Sequence, residues 1–454
     1  MLWSKERQGD NVVFRGARVL DSVEGIDAIL DVRIDNGVIT AVAEQVSANG
    51  HRVVDATGLV LAPAFVDPHV HLRTPGREDE ETIASGTSAA AAGGYCAILA
   101  MPNTDPIVDS ADTLGSLAET AKREAEIPVG FLAAITRGQG GEELTEMGEL
   151  ADAGAVAFSD DGVPVASAGL MRRALQYASV TGRLLALHCE ETTLSRGGHV
   201  HEGAVAAELG FAAYPSVAES VMVERDLSLA AYEEQQVHLL HLSAAESVAA
   251  LRRARESGGR ASGEVTPHHL VLTDEAVRSL DPNVKMNPPV RAERDRVALL
   301  DALRDGTIEA IATDHAPHAR HEKDVPFEAA PFGVTGLETA FSVLYTELVE
   351  PGLLQLATLL ERLSAGPSRI FGLERPRIAA GAPANLVLLD LGAVTRVTAD
   401  GFRSRSANSW LLGRTLRGRV TMTVAAGAVV YDGRRLDGAR PGAEAPASPA
   451  AERE

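Results

Sequence analysis

A chain of 454 residues, 45% of them hydrophobic, is too long for one small domain, whereas a barrel of about 250 residues beside a smaller module accounts for it. The formal net charge of −21 excludes nucleic acid and anionic membranes as partners, since either needs a cationic face to displace counterions. The two cysteines, Cys96 and Cys189, lie in apolar segments, which excludes a disulfide framework and suits a reducing compartment; with no apolar leader and no run approaching a membrane span, a cytoplasmic location is expected.

Residues 11–56 contain short alternating strands broken by turns, including an Asn36-Gly37 hairpin signal. From residue 58 to residue 367 short apolar runs alternate with amphipathic stretches, the pattern of β/α units around a parallel sheet. Eight strands are expected, at Val60–Val66, Ala97–Ala100, Val129–Ile135, Ala155–Phe158, Leu184–Leu187, Val237–Leu242, Gly263–Val265 and Ile308–Ala312. Helical segments follow most of them, as at Glu81–Ala92 and Ser243–Arg255. Eight units predict an α/β fold, a (β/α)8 TIM barrel. Residues 368–436 return to short strands and pair with residues 1–57 in a small β-sandwich domain; residues 437–454, rich in Pro, Ala and Gly, read as a disordered tail.

The chemistry starts at His69-Val70-His71. Residues two apart on a strand point the same way, so both imidazoles can reach one ion, although an isolated HxH is as often a pair of surface histidines. What decides is that other strand ends carry similar residues. Asp160 and Asp161 follow the fourth strand, His188 ends the fifth, His241 the sixth and Asp314 the eighth, and barrel sites are built at these carboxyl ends. Any one of them alone reads better as a satisfied core histidine or a helix cap. Together, four imidazoles and two carboxylates suit two divalent ions, Zn²⁺ by donor type, with a carboxylate and a water or hydroxide between them.

In the order HVHLRTPG, GTSAAAAGGY, MPNTDP, FSDDGVPV, LHCE, HLLHLS, VTPHHL, KMNPPVR, ATDHAPH, PFGVTGLETAF and NSWLLGRTLRGRV, the chain resembles the amidohydrolase superfamily and, within it, the bacterial type I dihydroorotases. The resemblance implies that His69, His71 and Asp314 hold one metal, His188 and His241 the other, and Asp161 bridges them. Hydantoinases bridge with a carboxylated lysine, but Lys5, Lys122, Lys285 and Lys323 all lie off the fourth strand. It further implies a metal-bridged hydroxide with Asp314 as general base and acid. His71, Arg73, Asn103, Asn287 and His318, with the backbone of Phe332 and Gly333, are the implied substrate contacts. One departure stands out: Thr74 occupies a place where relatives commonly carry an acid.

The implied reaction is the reversible cyclisation of N-carbamoyl-L-aspartate to L-dihydroorotate in pyrimidine biosynthesis. Another cyclic amidohydrolase, allantoinase or hydantoinase, is disfavoured by Arg73 and Asn103. An inactive homologue scaffolding aspartate transcarbamoylase is disfavoured by the complete ligand set. The resemblance leaves a homodimer and an aspartate transcarbamoylase partner open. Of the other histidines, His238 has the opposite strand parity to His241 and is expected to point away from the metals, His268 and His269 are expected in supporting roles, and His51, His199, His201 and His321 are expected in solvated loops.

Overall fold

The computed structural model describes residues 1–434, so the tail expected at 437–454 lies outside the described residues. Strands Phe65–Val70, Tyr95–Ala100 and Val129–Phe131 pair in parallel, as do Leu185–Leu187, Val237–Leu239, Ala261–Val265 and Ala310–Ile311. Single parallel bridges join the two groups: Ala133 to Phe158, Phe158 to Leu185, and Val70 to His315. Parallel pairing therefore runs all the way round eight segments. The fourth, expected at Ala155–Phe158, forms no extended ladder. It is nonetheless tied on both sides, by Ser159 N–H to the Ala133 carbonyl (2.9 Å) and Ala186 N–H to the Phe158 carbonyl (2.8 Å).

The strand expected at Val60–Val66 is in fact two. Val60–Pro63 pairs with Val12–Asp21 and, antiparallel, with Leu386–Arg396, whereas Phe65–Val70 belongs to the barrel. The switch takes one residue: Ala64 N–H donates to Asn385 in one sheet and Phe65 N–H to Gly94 in the other, at 3.0 and 2.9 Å. Because both halves are buried, the apolar run shows no break where the chain changes sheets.

Strands from both chain ends form one eight-stranded sheet. Its inner residues, among them Phe14, Val32, Ile39, Leu61, Leu388 and Met422, share a single core. An antiparallel bridge from Val38 to Pro383 brings the Val38–Ala43 edge against the segment entering Leu386–Arg396, so the sheet folds over its own core. The first residues sit elsewhere: Trp3 pairs with Val129, its ring 5.7 Å from Phe131 of the barrel.

Helix Ile83–Ala92 begins after Thr82, whose hydroxyl accepts from Ser85 N–H at 3.0 Å while Ser85 Oγ accepts from Thr82 N–H at 3.1 Å. Glu81, expected as the first helical residue, instead faces inward, with one carboxylate oxygen 3.2 Å from His315 Nε2 and in contact with the Ser404 hydroxyl. Among the described residues no helix is long and apolar enough to cross a membrane.

Candidate metal centre and substrate cavity

At the carboxyl mouth of the barrel, His69 lies within the first strand and His71 just beyond it, and the eighth segment returns beside them through His71 N–H donating to the His315 carbonyl (2.9 Å). Ligand atoms of His69, His71 and Asp314 all lie within 4.8 Å of one another, as do those of His69, Asp161 and His241. Asp161 is central. One carboxylate oxygen is 3.6 Å from His69 Nε2 and 3.5 Å from His71 Nε2; the other is 3.6 Å from His188 Nδ1 and 3.5 Å from His241 Nε2. Asp314 Oδ1 is 3.1 Å from His71 Nε2 and 3.4 Å from His69 Nε2.

The outward nitrogens are committed to the protein. His69 Nδ1 donates to Glu264 (2.8 Å), His71 Nδ1 to Asn103 Oδ1 (2.9 Å) and His188 Nε2 to Glu190 (2.9 Å). With those protons fixed, the other nitrogen of each ring faces inward, that of His188 lying 2.9 Å from His241 Nε2, and once neutral each ring offers a lone pair there, the tautomer a cation needs. Among the described residues, buried His69 Nε2 and Asp161 Oδ1 have no hydrogen-bond partner. Buried polar atoms are rarely left so, and two such atoms within one cluster of imidazoles and carboxylates fit cation binding.

Burial works to lower the His69 and His188 imidazoles and to raise the Asp161 and Asp314 carboxyls, but mutual attraction outweighs it. His69 is pushed well up and His188 to about 9, while both carboxyls are held well below the usual range. The carboxylates are ionised at neutral pH, and a divalent cation entering the cluster would displace protons from the imidazoles. The backbone supports this placement at a cost: Arg73, His241 and Asp314 have φ of 56°, 31° and 48°, left-handed conformations that cost such residues about 1–3 kcal/mol each.

Asp160 behaves differently. Its carboxylate accepts Ile135 N–H (2.8 Å), Thr136 N–H (3.1 Å) and the Thr136 hydroxyl, and burial raises it to about 6. It is a loop anchor, and only its neighbour reaches the cluster.

An open cavity of about 620 Å³ lies over the cluster, lined by His71, Arg73, Asn103, Asp161, Gly162, His188, His241, Asn287, Asp314, Ala316, His318, Phe332 and Gly333. Every metal ligand and substrate contact that the resemblance implied is there except His69, which is fully buried behind it. Asn287 Nδ2 donates to Glu190 (3.0 Å), while its buried Oδ1 has no partner among the described residues and can accept from a ligand N–H. The Asn103 amide serves the cluster itself, with Oδ1 on His71 and Nδ2 3.3 Å from Asp161 Oδ2. His318 Nε2 is 2.7 Å from the Phe332 carbonyl, which offers only lone pairs, so the proton sits on Nε2. Gly333, at φ 112°, tolerates no side chain: a Cβ there would lie 2.6 Å from that of Ala316.

Several supporting residues escaped the sequence reading. Glu264, fully buried on the seventh strand, holds His69 with one oxygen and takes His238 Nε2 on the other at 3.0 Å. His238 does point away from the cluster, and it steadies the carboxylate that steadies His69. Asp67 accepts Thr313 N–H and its hydroxyl (2.6 Å), tying the first strand to the eighth just before Asp314. A carboxylate inside a short apolar strand was the available signal for both, because such groups are buried only with partners. His201, expected in solvent, is buried against Arg291. His269 is held between the Thr266 hydroxyl (2.8 Å) and the Pro288 carbonyl (3.0 Å), a supporting role as expected.

Comparison with known proteins agrees with this geometry. The structure superposes on an L-hydantoinase (dihydropyrimidinase) from Arthrobacter aurescens with a TM-score of 0.84 at 25% identity, over 93% of this chain and 96% of that one. A dihydropyrimidinase from Brevibacillus agri NCHU1002 shares the fold at TM-score 0.80 and 23% identity, over 93% and 95% of the two chains. Barrel and donor set together make the chain a metal-dependent cyclic amidohydrolase. A dihydro-orotase-like family model matches residues 58–247. A dihydroorotase of Pelotomaculum thermopropionicum is 44% identical over 93% of this chain and 99% of its own length, and one of Anaeromyxobacter dehalogenans is 46% identical over 94% and 99%. The chain belongs to the dihydroorotase family.

Proposed function

We propose that the chain interconverts N-carbamoyl-L-aspartate and L-dihydroorotate as a dihydroorotase of pyrimidine biosynthesis, with two divalent ions, Zn²⁺, at the barrel mouth. The observation that carries the reading is one cavity with carboxylates and imidazoles at its floor and the cation Arg73 on its wall, together with the family membership. His69, His71 and Asp314 would hold one ion, His188 and His241 the other, and Asp161 both. The 4.8 Å clustering of ligand atoms and the unpartnered His69 Nε2 and Asp161 Oδ1 support this assignment. Bound there, such ions supply Lewis-acid activation of water and of an amide carbonyl.

The residues of the chain do the rest. Asp314 takes the proton of the attacking water and delivers it to the ring nitrogen as the carbon–nitrogen bond breaks; ring closure runs the same transfer backwards. Arg73 grips the substrate carboxylate, Asn287 Oδ1 accepts a ring N–H, and His318 fixes the Phe332 carbonyl so that the Phe332-Gly333 backbone covers the ring. The hydantoinase alternative requires a lysine bridge, and the four lysines sit elsewhere: Lys5 is paired with Glu126, Lys122 with Glu119, and Lys285 and Lys323 donate to loop carbonyls.

Protein purified without chelator, assayed for bound metal and for turnover of dihydroorotate, allantoin and hydantoins, tests the proposal. Zinc near two per chain with dihydroorotate strongly preferred is the expected result. Preference for allantoin or a hydantoin, or a metal-free inert protein, refutes it. The quaternary arrangement proposed with it, a homodimer with or without an aspartate transcarbamoylase partner, is read by the mass of the protein alone and mixed with a transcarbamoylase.

Arg73→Lys should leave the metals in place while lowering kcat/KM for dihydroorotate about ten- to a hundredfold, the worth of a charge-assisted hydrogen bond of roughly 1.5–3 kcal/mol. Wild-type kinetics, or metal loss, would overturn the role of Arg73.

A further inference from the structure

Arg73 does not hold its own position. Its φ of 56° is strained, and its Nε donates to the Pro317 carbonyl at 3.1 Å. On the same nitrogen, at 2.9 Å, sits Glu80, a carboxylate only 1% exposed. The other oxygen of Glu80 is 2.6 Å from Arg77 Nη2 and 3.4 Å from His318 Nδ1. Glu80 thus lies behind both side chains that flank the cavity wall, Arg73 and His318. Arg77 neutralises the cluster from outside, bridging Glu80 to Glu322, also at 2.6 Å. Although Glu80, His318 and Glu322 could by distance surround a cation, the guanidinium of Arg77 already occupies the outer face of both carboxylates. Thr74, next to Arg73 in the chain, has a buried hydroxyl with no hydrogen-bond partner among the described residues and gives Arg73 no charge.

We propose that Glu80 is the positioning residue that aims Arg73 at the substrate carboxylate, a buried negative charge fixed behind the guanidinium. The inference rests on Arg73 being the carboxylate anchor. With its Nε held by Glu80 and Pro317 and its Nη2 3.4 Å from His318 Nε2, the guanidinium lies along the cavity wall with its terminal nitrogens outermost. Those nitrogens make the two-point match to a carboxylate. A burial as complete as that of Glu80 costs free energy unless the charge is paired; Arg77 and Arg73 share that pairing, and the Arg73 half of it orients the anchor.

Glu80→Gln, similar in size but uncharged, should keep wild-type metal content and raise KM for dihydroorotate roughly tenfold, with kcat changing less than about threefold. Glu80→Asp, which keeps the charge but is shorter, should raise KM by less. In the double variant with Arg73→Lys, KM should be no higher than with Arg73→Lys alone, because a misaimed anchor and a missing one fail together. Unchanged KM in Glu80→Gln, equal losses of kcat and metal, or strictly multiplicative effects in the double variant would overturn the proposal. If Glu80→Gln cannot be purified folded, Glu80→Asp decides: an unchanged KM overturns it and a raised KM at full metal content supports it. Failure of the anchor reading itself shows separately, as an Arg73→Lys variant with wild-type KM.

Discussion

Asp314→Asn is expected to retain its metal and to lose at least about a hundredfold in kcat, the lower end of what a positioned general acid–base contributes. The amide keeps an oxygen that can ligate, 3.1 Å from the place of His71 Nε2, but it cannot take up a proton and return it. The backbone at Asp314 is left-handed and Asn tolerates that conformation as well as Asp does, so the substitution changes the proton chemistry with little change in placement. Metal analysis beside steady-state kinetics checks it. Full occupancy with near-normal turnover would mean that the proton passes elsewhere.

The second large effect separates adjacent aspartates. Asp161→Ala should weaken metal binding by more than about a hundredfold, the upper range seen when only a supporting group of a ligand is lost, because it removes the carboxylate that, among the described residues, faces all four imidazoles. Asp160→Ala should retain metal and lose stability instead. It strips the partner from Ile135 N–H, Thr136 N–H and the Thr136 hydroxyl, at about 1–3 kcal/mol per buried unsatisfied group. Metal titration and thermal melts of both variants give the comparison, and equal metal loss in the two would reverse the assignment of Asp161.

These aspartates show how far the sequence could be read. The histidines and aspartates of the cluster were legible because each follows an apolar run at a barrel strand end, where side chains converge whatever the details of pairing. Asp160 and Asp161 share one motif, and one residue of backbone rotation sends them to different tasks. The resemblance named Asp161, which lies among the imidazoles, while the hydrogen bonds to Ile135 and Thr136 hold Asp160 away from them. Glu264, Asp67 and Glu80 were not legible, because what each does depends on a partner from a distant segment: Glu264 on His69, Asp67 on Thr313, Glu80 on His318. Hydrophobic periodicity reports which residues are buried and says nothing of which buried polar groups meet. The split at Ala64 was hidden for the same reason, since both sheets bury their share of the run.

That split also orders events during synthesis. Val60–Pro63 leaves the ribosome early, paired on one side with Val12–Asp21, but its other neighbour, Leu386–Arg396, is made only after the whole barrel. Until then the nascent chain carries an open, apolar strand edge of the kind that invites pairing with other chains. The barrel, complete in sequence by then, can close first and hold Phe65 and Ala64 in place, so the late strand finds a waiting template at a fixed position rather than a free end to capture. Chains cut short between the barrel and residue 386 should therefore be lost to aggregation even though every residue facing the cavity floor has been made.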